Sequence, residues 1–421
     1  MAPQEMSFDI AQYLTSYSLD KNLELFPSAS ATKPTEVDTI TIDGHKIPRY
    51  ISEFWTSKQR QASSIQEISY RACFKPQLPH LFIDLLTKEN DVVYDPFCGR
   101  GTTVIEAGLM GRNVIANDIN PLSRILTEPR FFVPDIEELK RRLREIRIRK
   151  NAKADIDLSM FYHPETEAEI VSLKSYLRKR RDSGEEDGLD KWIRMVATNR
   201  LTGHSKGFFS VYTLPPNQAV SQESQREINK KLKQKPEYRD TRQLILQKTK
   251  SLRRNLTEGQ IMRLKRAGRK AKFSDLDARE TKRIKSGLIN LTVTSPPFLN
   301  IVDYHQDNWL RRWFNSIDDE VGKKITMSRT AEDWRGVMHS VFRELYRITK
   351  GNGWVAFEVG ELRNGSIRLD EHIAPLGIEA GFRCEAIIIN SQEFTKTSNI
   401  WGIRNNRCGT NTNRIVLFCK S

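Results

Sequence analysis

The feature that most restricts how this chain can fold is a strand, loop, helix and strand unit that ends at Asp118. Asp91-Val-Val-Tyr94 is a short apolar strand, Thr102 to Met110 has helical apolar spacing, and Asn113 to Asn117 is a second strand. The loop before the helix carries two glycines. In open α/β sheets such a loop lies at the carboxyl end of a strand, where ligands bind. The unit therefore predicts an α/β domain with a ligand site at this loop.

Strand patterns return in the last third of the chain. They cover Leu291 to Thr294, Gly353 to Glu358, Glu385 to Ile389 and Arg414 to Phe418, and a helix is predicted from Ala331 to Ile348. The residues between the two strand-rich parts have mostly helical spacing. We therefore expect the fold class to be α/β, with a doubly wound, Rossmann-like sheet interrupted by a mostly helical insertion.

Positive charge is concentrated within that insertion. The 421-residue chain has a formal net charge of +15, and Arg226 to Lys285 holds 21 Lys plus Arg against 7 Asp plus Glu, a difference of +14. A regional positive field of this kind attracts polyphosphate backbones. A solvated helical face or a charged linker would give the same pattern, so the charge alone leaves nucleic acid binding open.

Cysteine usage and hydropathy limit the cellular setting. Five scattered cysteines show no Cys-x-x-Cys pair and no Cys/His cluster with metal-ligand spacing, so we expect a reducing compartment and no metal. No apolar run reaches membrane-spanning length, and the start of the chain lacks the apolar stretch of a signal peptide. The sequence thus predicts a soluble, cytoplasmic protein without a membrane partner.

The glycine loop reads Asp95-Pro-Phe-Cys-Gly-Arg-Gly-Thr-Thr103. Gly99 and Gly101 can adopt backbone angles that other residues avoid, and they let a ligand approach the main chain closely. A phosphate-binding loop would end in Lys-Ser/Thr and a dinucleotide loop would add a third glycine, so neither signature matches. Asp118, at the end of the next strand, is suited to accept hydrogen bonds from ribose hydroxyls, and the alternative is that it caps the helix that follows.

A second motif, Thr294-Ser-Pro-Pro-Phe298, follows the strand that begins at Leu291. It falls at a carboxyl end of the same predicted sheet, on the ligand side. The paired prolines fix the loop and remove N–H donors. A proline-rich turn without function would give the same tetrapeptide, so its value depends on its pairing with the glycine loop.

Together the two motifs resemble the amino-methylating DNA methyltransferases, whose cofactor motif reads Asp-Pro-Phe-x-Gly-x-Gly-Thr-Thr. The resemblance implies S-adenosyl-L-methionine as cofactor. It covers roughly Tyr50 to Arg130 and Leu288 to Ser421, with the cofactor motif preceding the catalytic one. In the family an upstream segment with an aromatic residue, Lys and Pro also contacts the cofactor, and Phe74-Lys-Pro76 stands in that place. The implied cofactor residues are Phe74, Lys75, Pro76, Asp95, Pro96, Phe97, Gly99, Gly101, Thr102, Thr103, Asn117, Asp118 and Ile119.

The catalytic residues are then Ser295, Pro296, Pro297 and Phe298. An exocyclic amine is a poor nucleophile because its lone pair is delocalised, and the Ser295 hydroxyl and the Pro296 carbonyl could accept its hydrogens. Phe298 would stack on a base flipped out of the duplex. In the family Ser-Pro-Pro-Tyr/Phe is characteristic of cytosine N4 methylation, and some such enzymes act on adenine N6. Cytosine C5 methylation is excluded because it needs a thiolate that follows a proline, and no cysteine here does.

The order of the motifs divides the chain. Residues 1–47 form an N-terminal segment without an assigned role, 48–130 with 288–421 form the catalytic domain, and 131–287 form the inserted target-recognition region. The predicted partner is double-stranded DNA, with a possible cognate restriction endonuclease. The predicted DNA-binding residues are Lys206, Phe208, Arg253, Arg254, Lys265, Arg266, Arg269 and Lys270.

Alternatives to this interpretation stay open. Phe208 and its aromatic neighbours could equally form a small core of the insertion. Methylation of adenine N6 or of structured RNA would use the same Ser-Pro-Pro chemistry, whereas protein glutamine methylation is disfavoured by Ser295. From a different class, the chain could be a DNA-binding protein that keeps a methyltransferase fold without activity.

Overall fold

A computed structural model of the chain describes residues 9–17, 34–55, 62–71, 73–213, 219–297, 306–318, 330–362, 367–391 and 412–421. The strands are β1 Glu36–Ile42, β2 His45–Ser52, β3 Val92–Asp95, β4 Asn113–Asn117, β5 Lys272–Ser274, β6 Ile289–Thr294, β7 Thr349–Val359, β8 Glu361–Leu362, β9 Ile367–Arg368, β10 Arg383–Ser391 and β11 Thr412–Cys419. The helices are α1 Ile10–Thr15, α2 Gln77–Leu86, α3 Thr102–Leu109, α4 Pro121–Thr127, α5 Ile136–Glu145, α6 Pro164–Asp182, α7 Gly188–Arg200, α8 Gln222–Leu232, α9 Thr241–Arg253, α10 Glu258–Lys270, α11 Trp309–Asn315, α12 Ala331–Ile348 and α13 Leu369–Glu379.

Nine of the strands form one sheet in the order β1-β2-β10-β11-β7-β6-β3-β4-β5. Strands β5, β4, β3, β6 and β7 are mutually parallel, whereas β11 runs antiparallel to both of its neighbours, β7 and β10. From β3 the chain proceeds outward to β4 and β5, and from β6 it proceeds in the opposite direction to β7. The boundary between β3 and β6 is therefore a topological switch point, where open α/β sheets place their ligands.

Helices cover both faces of this sheet. On one face α2 and α3 bury Ile83 and Ile105 against β6 and β3, and α10 buries Leu264 against α3 and β4. On the other face α12 and α13 bury Phe342 and Ile373 against β7, β10 and β11. Strands that are apolar on both faces belong in the middle of such a three-layer structure. The predicted doubly wound α/β class is confirmed.

Helices α5 to α9, which lie between β4 and β5 in the sequence, form an additional layer. The Trp192 ring lies fully buried in this layer and donates its indole N–H to the Thr249 hydroxyl at 3.0 Å. Helix α11, which follows the Ser-Pro-Pro loop, packs on α6 and α7. The helical layer is thus joined to the catalytic half of the sheet rather than separate from it.

Two pairings bear on the domain boundaries predicted above. Strands β1 and β2 form a hairpin across the boundary at 47/48, and β2 joins the sheet beside β10. Strand β5 lies within 131–287, yet it pairs with β4 as the last strand of the sheet. Both segments contribute edge strands to the sheet that carries the motifs, while the division of roles among the domains stays a prediction.

Candidate active site

Three loops meet at the carboxyl edge of the parallel strands. They follow β3 (residues 96–101), β4 (118–120) and β6 (295–297), so they flank the switch point on both sides. Together with neighbouring segments they enclose one pocket. It is lined by Tyr70, Cys73, Phe74, Asp95, Pro96, Phe97, Cys98, Gly99, Thr102, Asp118, Ile119, Asn120, Leu276, Asp277, Ala278, Arg279, Ser295, Pro296, Pro297, Trp334, Val337, Met338 and Val341. Both predicted motifs therefore contribute walls to a single cavity.

The glycines of the first loop have separate reasons to lack a side chain. Gly99 (φ +51°) lines the pocket, with the Tyr70 ring 3.6 Å from where its Cβ would be. Gly101 (φ +82°) faces inward, where a Cβ would lie 2.5 Å from the Thr127 side chain and 2.9 Å from Arg130. Both residues adopt the left-handed region that favours glycine. Gly99 thus shapes the pocket, and Gly101 allows the start of α3 to pack on the segment behind it.

Asp118 holds the glycine loop from the neighbouring strand. Its carboxylate accepts hydrogen bonds from the backbone N–H of Gly99 at 2.8 Å and of Asn120 at 2.9 Å. Burial raises the pKa of Asp118 to about 6, against the opposing effect of these two hydrogen bonds. A carboxylate has about four acceptor positions. Asp118 can therefore accept further hydrogen bonds from a ligand in the pocket while it fixes the loop.

Two hydrogen bonds join the glycine loop to the strand of the second motif. The Thr294 hydroxyl donates to Asp95 at 2.6 Å, and the Thr103 hydroxyl donates to the carbonyl of Val293 at 3.0 Å. Burial raises the pKa of Asp95 to about 7, opposed chiefly by the bond from Thr294. The relative position of the two motifs is thus fixed by buried polar contacts.

The Ser-Pro-Pro loop is held from two sides. Ser295 is hydrogen-bonded to the carboxylate of Glu358, which also accepts from the Asn413 side chain at 2.9 Å. Burial raises the pKa of Glu358. From α12 the indole N–H of Trp334 donates to the carbonyl of Pro297 at 3.0 Å. Phe298 lies outside the described residues.

Not all of the predicted cofactor residues reach the pocket. Phe74 lines it, but Lys75 and Pro76 do not, and Pro76 precedes the first turn of α2. Asn117 is buried, and its amide bonds the carbonyl of Leu276 at 2.8 Å and the Ser274 hydroxyl at 2.7 Å. Asn117 therefore fixes the loop after β5 instead of facing the cavity.

Sequence reasoning missed two walls of the pocket. One is the loop Leu276 to Arg279 after β5, a strand too short to show a pattern. The other is the α12 face with Trp334, Val337, Met338 and Val341, whose spacing at i, i+3, i+4 and i+7 marks one side of a helix. The sequence predicted this helix, and the spacing of its apolar residues was the feature from which this wall of the pocket could have been predicted.

The structure separates the predicted DNA-binding residues into two groups. Arg254 forms an ion pair with Glu67. The carbonyls of Gln66 and Ile68, on either side of Glu67, accept hydrogen bonds from Arg100 of the glycine loop, so Arg254 lies at the carboxyl edge of the parallel strands. Arg266 instead pairs with Glu89, in the turn before β3, at the opposite edge. Lys265, Arg269 and Lys270 are exposed neighbours of Arg266 on α10. The structure does not bring this second group to the pocket.

The remaining three residues differ in their surroundings. Lys206 is exposed in the loop after α7. Phe208 is 6% exposed, packs against Gly203, and is covered by the Arg200 guanidinium 3.9 Å from its ring centre. Arg253 donates to the carbonyl of Pro134 at 2.8 Å. Phe208 is thus a core residue of the helical layer in this structure, where stacking on a base would require rearrangement.

Within the described residues no group of three or more His, Cys, Asp or Glu side chains is arranged to hold a metal ion. In the same residues no helix is both long and apolar enough to cross a membrane.

Comparison with known proteins gives a family match over the first motif. Residues 15–124 match the DNA methylase model N6_N4_Mtase, a range that includes the glycine loop and Asp118 but ends before Ser295. The Type II methyltransferase M.BsoBI of Geobacillus stearothermophilus is 24% identical over 281 residues, which are 63% of this chain and 54% of that protein. The Type II methyltransferase M.MjaII of Methanocaldococcus jannaschii is 36% identical over 72 residues, 17% of this chain and 14% of that protein.

The chain thus spans about half the length of the Geobacillus relative and less of the Methanocaldococcus one. These matches support the predicted relationship to amino-methylating DNA methyltransferases, while the motif order stays a prediction. Among solved structures, a geranyl diphosphate methyltransferase in complex with SAM has a TM-score of 0.33 at 8% identity, over 82% of this chain and 85% of that chain. A Thermus thermophilus protein, provisionally described as a DNA modification methylase, has a TM-score of 0.21 at 21% identity, over 34% of this chain and 50% of that chain. Scores this low add nothing to the fold described above.

Proposed function

We propose that this protein transfers a methyl group from S-adenosyl-L-methionine to the exocyclic N4 of cytosine in duplex DNA. The observation that carries the proposal is the single pocket bounded by the glycine loop and the Ser-Pro-Pro loop, with the two loops tied together through Asp95 and Thr294. A methyl donor and its acceptor must meet within one water-poor cavity. The alternative target is the N6 of adenine, which presents the same amine chemistry.

The pocket residues fit this cofactor. Asp118 offers acceptor positions for ribose hydroxyls at the end of β4. Ile119, Met338 and Val341 supply an apolar surface suited to a flat base, and Gly99 leaves the main chain open to close approach. When bound, the sulfonium of S-adenosyl-L-methionine would supply an electrophilic methyl group.

The contacts of Ser295 explain how the Ser-Pro-Pro loop would bind an amine. Because the Ser295 hydroxyl donates its hydrogen to Glu358, its lone pairs are left to accept from an amino group. Trp334 engages the Pro297 carbonyl, so the second acceptor is the carbonyl of Pro296, which also borders the pocket. Two acceptors directed at the amine hydrogens favour the tetrahedral nitrogen that forms as the new carbon–nitrogen bond is made.

Duplex DNA as the substrate is supported by the family match and by the basic helical layer. The matched model describes DNA methylases, and the two relatives are named as Type II methyltransferases. A base in a duplex must leave the stack to reach a cavity of this kind. We extend the proposal to the modification half of a restriction-modification pair, with a cognate endonuclease that recognises the same site.

A methyl-transfer assay with four substrates tests this function. Duplex DNA, single-stranded DNA, tRNA and a protein mixture are incubated with the protein and radiolabelled S-adenosyl-L-methionine. The proposal predicts label in duplex DNA, and loss of that label with Ser295→Ala while cofactor affinity persists. Label in tRNA alone would contradict the DNA substrate. No label in any substrate, with DNA binding retained, would favour the inactive DNA-binding protein.

A further inference from the structure

A row of four cations runs beside the pocket along the inner side of the helical layer. It consists of Arg311, Arg200, Lys248 and Arg254 and is called the cation row below. Within the part of the chain that the structure describes, Arg200 and Arg311 have no carboxylate at ion-pair distance, and Lys248 and Arg254 share one, Glu67. The row therefore carries an excess of positive charge.

The pocket end of the row is Arg311, on α11. Arg311 is 6% exposed, and its guanidinium donates to the carbonyl of Ser69 at 3.2 Å and to the Asn308 side chain at 3.1 Å. Ser69 precedes Tyr70, whose ring lines the pocket. Burial lowers the pKa of Arg311. A buried cation held by neutral acceptors makes the surrounding field positive.

Arg200 continues the row at the end of α7. It is 8% exposed, donates to Asn199, and lies over the Phe208 ring. Burial first, and then the charge of Arg311, lower the pKa of Arg200 to about 10. A cation whose charged state is disfavoured by a neighbouring cation indicates that positive potential accumulates here.

Lys248 and Arg254 end the row at the surface, on and just after α9. The Lys248 ammonium lies 3.9 Å from Glu67, and the Arg254 guanidinium bonds the same carboxylate. Burial, followed by the charge of Arg200, lowers the pKa of Lys248 to about 8. One carboxylate thus faces two cations, and the Arg254 side chain is 54% exposed. A negatively charged ligand could approach this end from solvent.

The charges of α10 lie elsewhere. Arg266 bonds Glu89, and Arg263 donates to the carbonyl of Leu109 at 2.7 Å, at the end of α3 remote from the glycine loop. Lys265 and Arg269 are exposed on this side. The basic segment thus has one part at the catalytic edge and one part away from it, although both contribute to the same net charge.

We infer that the cation row is the site for the DNA phosphates that flank the target nucleotide, and that α10 does not contact the DNA. This inference rests on the proposed function and deepens it, because it names the part of the insertion that holds the substrate. Phosphate contacts fix the position of a duplex on a protein without reading its sequence. At the pocket rim they would hold the strand so that a flipped base enters beside Tyr70 and Ser295.

Two double variants with equal charge loss test the inference. Lys248→Gln/Arg254→Gln removes two charges from the cation row, and Lys265→Gln/Arg269→Gln removes two from α10. We expect the first to weaken binding of a 30-base-pair duplex about tenfold or more and to reduce the slope of log affinity against log salt by about 2. The second should leave both quantities close to those of the unaltered protein. Fluorescence anisotropy measures both the affinity and its salt dependence, and thermal melting with cofactor titration shows whether each variant is folded.

A third variant predicts a gain. Glu67→Gln removes the only described carboxylate that faces Lys248 and Arg254, so DNA affinity should rise several-fold with a steeper salt dependence. If Glu67 merely stabilised the fold, the same change would lower the melting temperature and leave DNA affinity unchanged.

The outcomes separate the inference from the proposed function. If the unaltered protein methylates DNA but the two double variants bind DNA equally well or lose affinity equally, the inference is wrong and the function stands. If the protein binds DNA through the cation row but transfers no methyl group, the inference stands and the function is wrong. If the unaltered protein binds no DNA, both are wrong.

Discussion

The carboxylate of Asp95 and the hydroxyl of Thr294 lie 2.6 Å apart, although 199 positions separate them in the sequence. Each residue ends a strand that flanks the switch point of the sheet, and each belongs to one of the two motifs. Both are buried. This contact makes the two motifs one structural unit, in which a change to either loop alters the position of the other.

Thr294→Val tests that contact. The substitution keeps the side-chain shape but removes the Thr294 donor from a buried carboxyl, which retains the hydrogen bond from the Phe97 backbone N–H, so we expect the free energy of unfolding to fall by about 1–3 kcal/mol. Methyl transfer should fall as well. Thr292 is the matched control, because its hydroxyl is buried on the same strand without a described hydrogen-bond partner. Thr292→Val should be neutral or stabilising in chemical denaturation, and equal losses from both variants would count against the contact.

Gly101→Ala should unfold or strongly destabilise the protein. The new Cβ would collide with Thr127 and Arg130 at a positive φ, and we expect a loss of about 2 kcal/mol or more. Gly336 lies within α12 with open space around it, so Gly336→Ala should instead stabilise by about 0.5–1 kcal/mol. Thermal melting compares the two variants, and a harmless Gly101→Ala would refute the packing described here.

Cofactor affinity should depend on pH through Asp118. Burial raises the pKa of this carboxyl to about 6, so it is ionised at pH 7.5 and becomes neutral as the pH falls through 6. Protonation removes acceptor positions, and the affinity should drop by up to about tenfold per pH unit below that value. Calorimetric titration with S-adenosyl-L-methionine from pH 5 to 8 measures this. Asp118→Asn should bind weakly at every pH and lose the transition near pH 6, whereas Asp95, with a pKa of about 7 in the same pocket, would still titrate; an unchanged transition near pH 6 in that variant would exclude Asp118 as its source.

Glu358→Gln should slow catalysis without loss of cofactor binding. The amide can donate to Ser295, which would direct the serine hydrogen toward the substrate amine and block one acceptor. We expect kcat to fall about tenfold or more, with little change in KM for S-adenosyl-L-methionine. Because the substitution changes the hydrogen-bond acceptor of Ser295 and not the packing, the melting temperature should stay close to that of the unaltered protein. A purely structural role for Glu358 would show the reverse pattern.

Much of the fold could be predicted because apolar periodicity is a local property. The strand predicted at Asp91 to Tyr94 is observed one residue later, at Val92–Asp95, and the helix from Ala331 to Ile348 is observed at its predicted place. Strand β1 and the start of β2 were assigned no role, because the place of β2 beside β10 is set by pairing across more than 300 positions. Strand β5, with three residues, has no recognisable period.

For the site, residues with unusual backbone demands were easier to predict than residues recruited by packing. Gly99 and Ser295 stand in motifs whose composition reflects their chemistry, whereas Trp334 and Glu358 reach the loop from separate elements. Charge was the least informative feature. Net charge located the basic segment, but only the ion pairs of Arg254 and Arg266 show that its parts lie at opposite edges of the sheet.

Mass spectrometry of nucleosides tests the central claim most directly. Duplex DNA is incubated with the protein and S-adenosyl-L-methionine, digested completely, and compared with the same reaction using Ser295→Ala. We expect N4-methyldeoxycytidine with the unaltered protein and none with the variant. N6-methyldeoxyadenosine in its place would keep the mechanism and change the target base. The claim would be contradicted if neither nucleoside formed, or if Ser295→Ala produced as much as the unaltered protein.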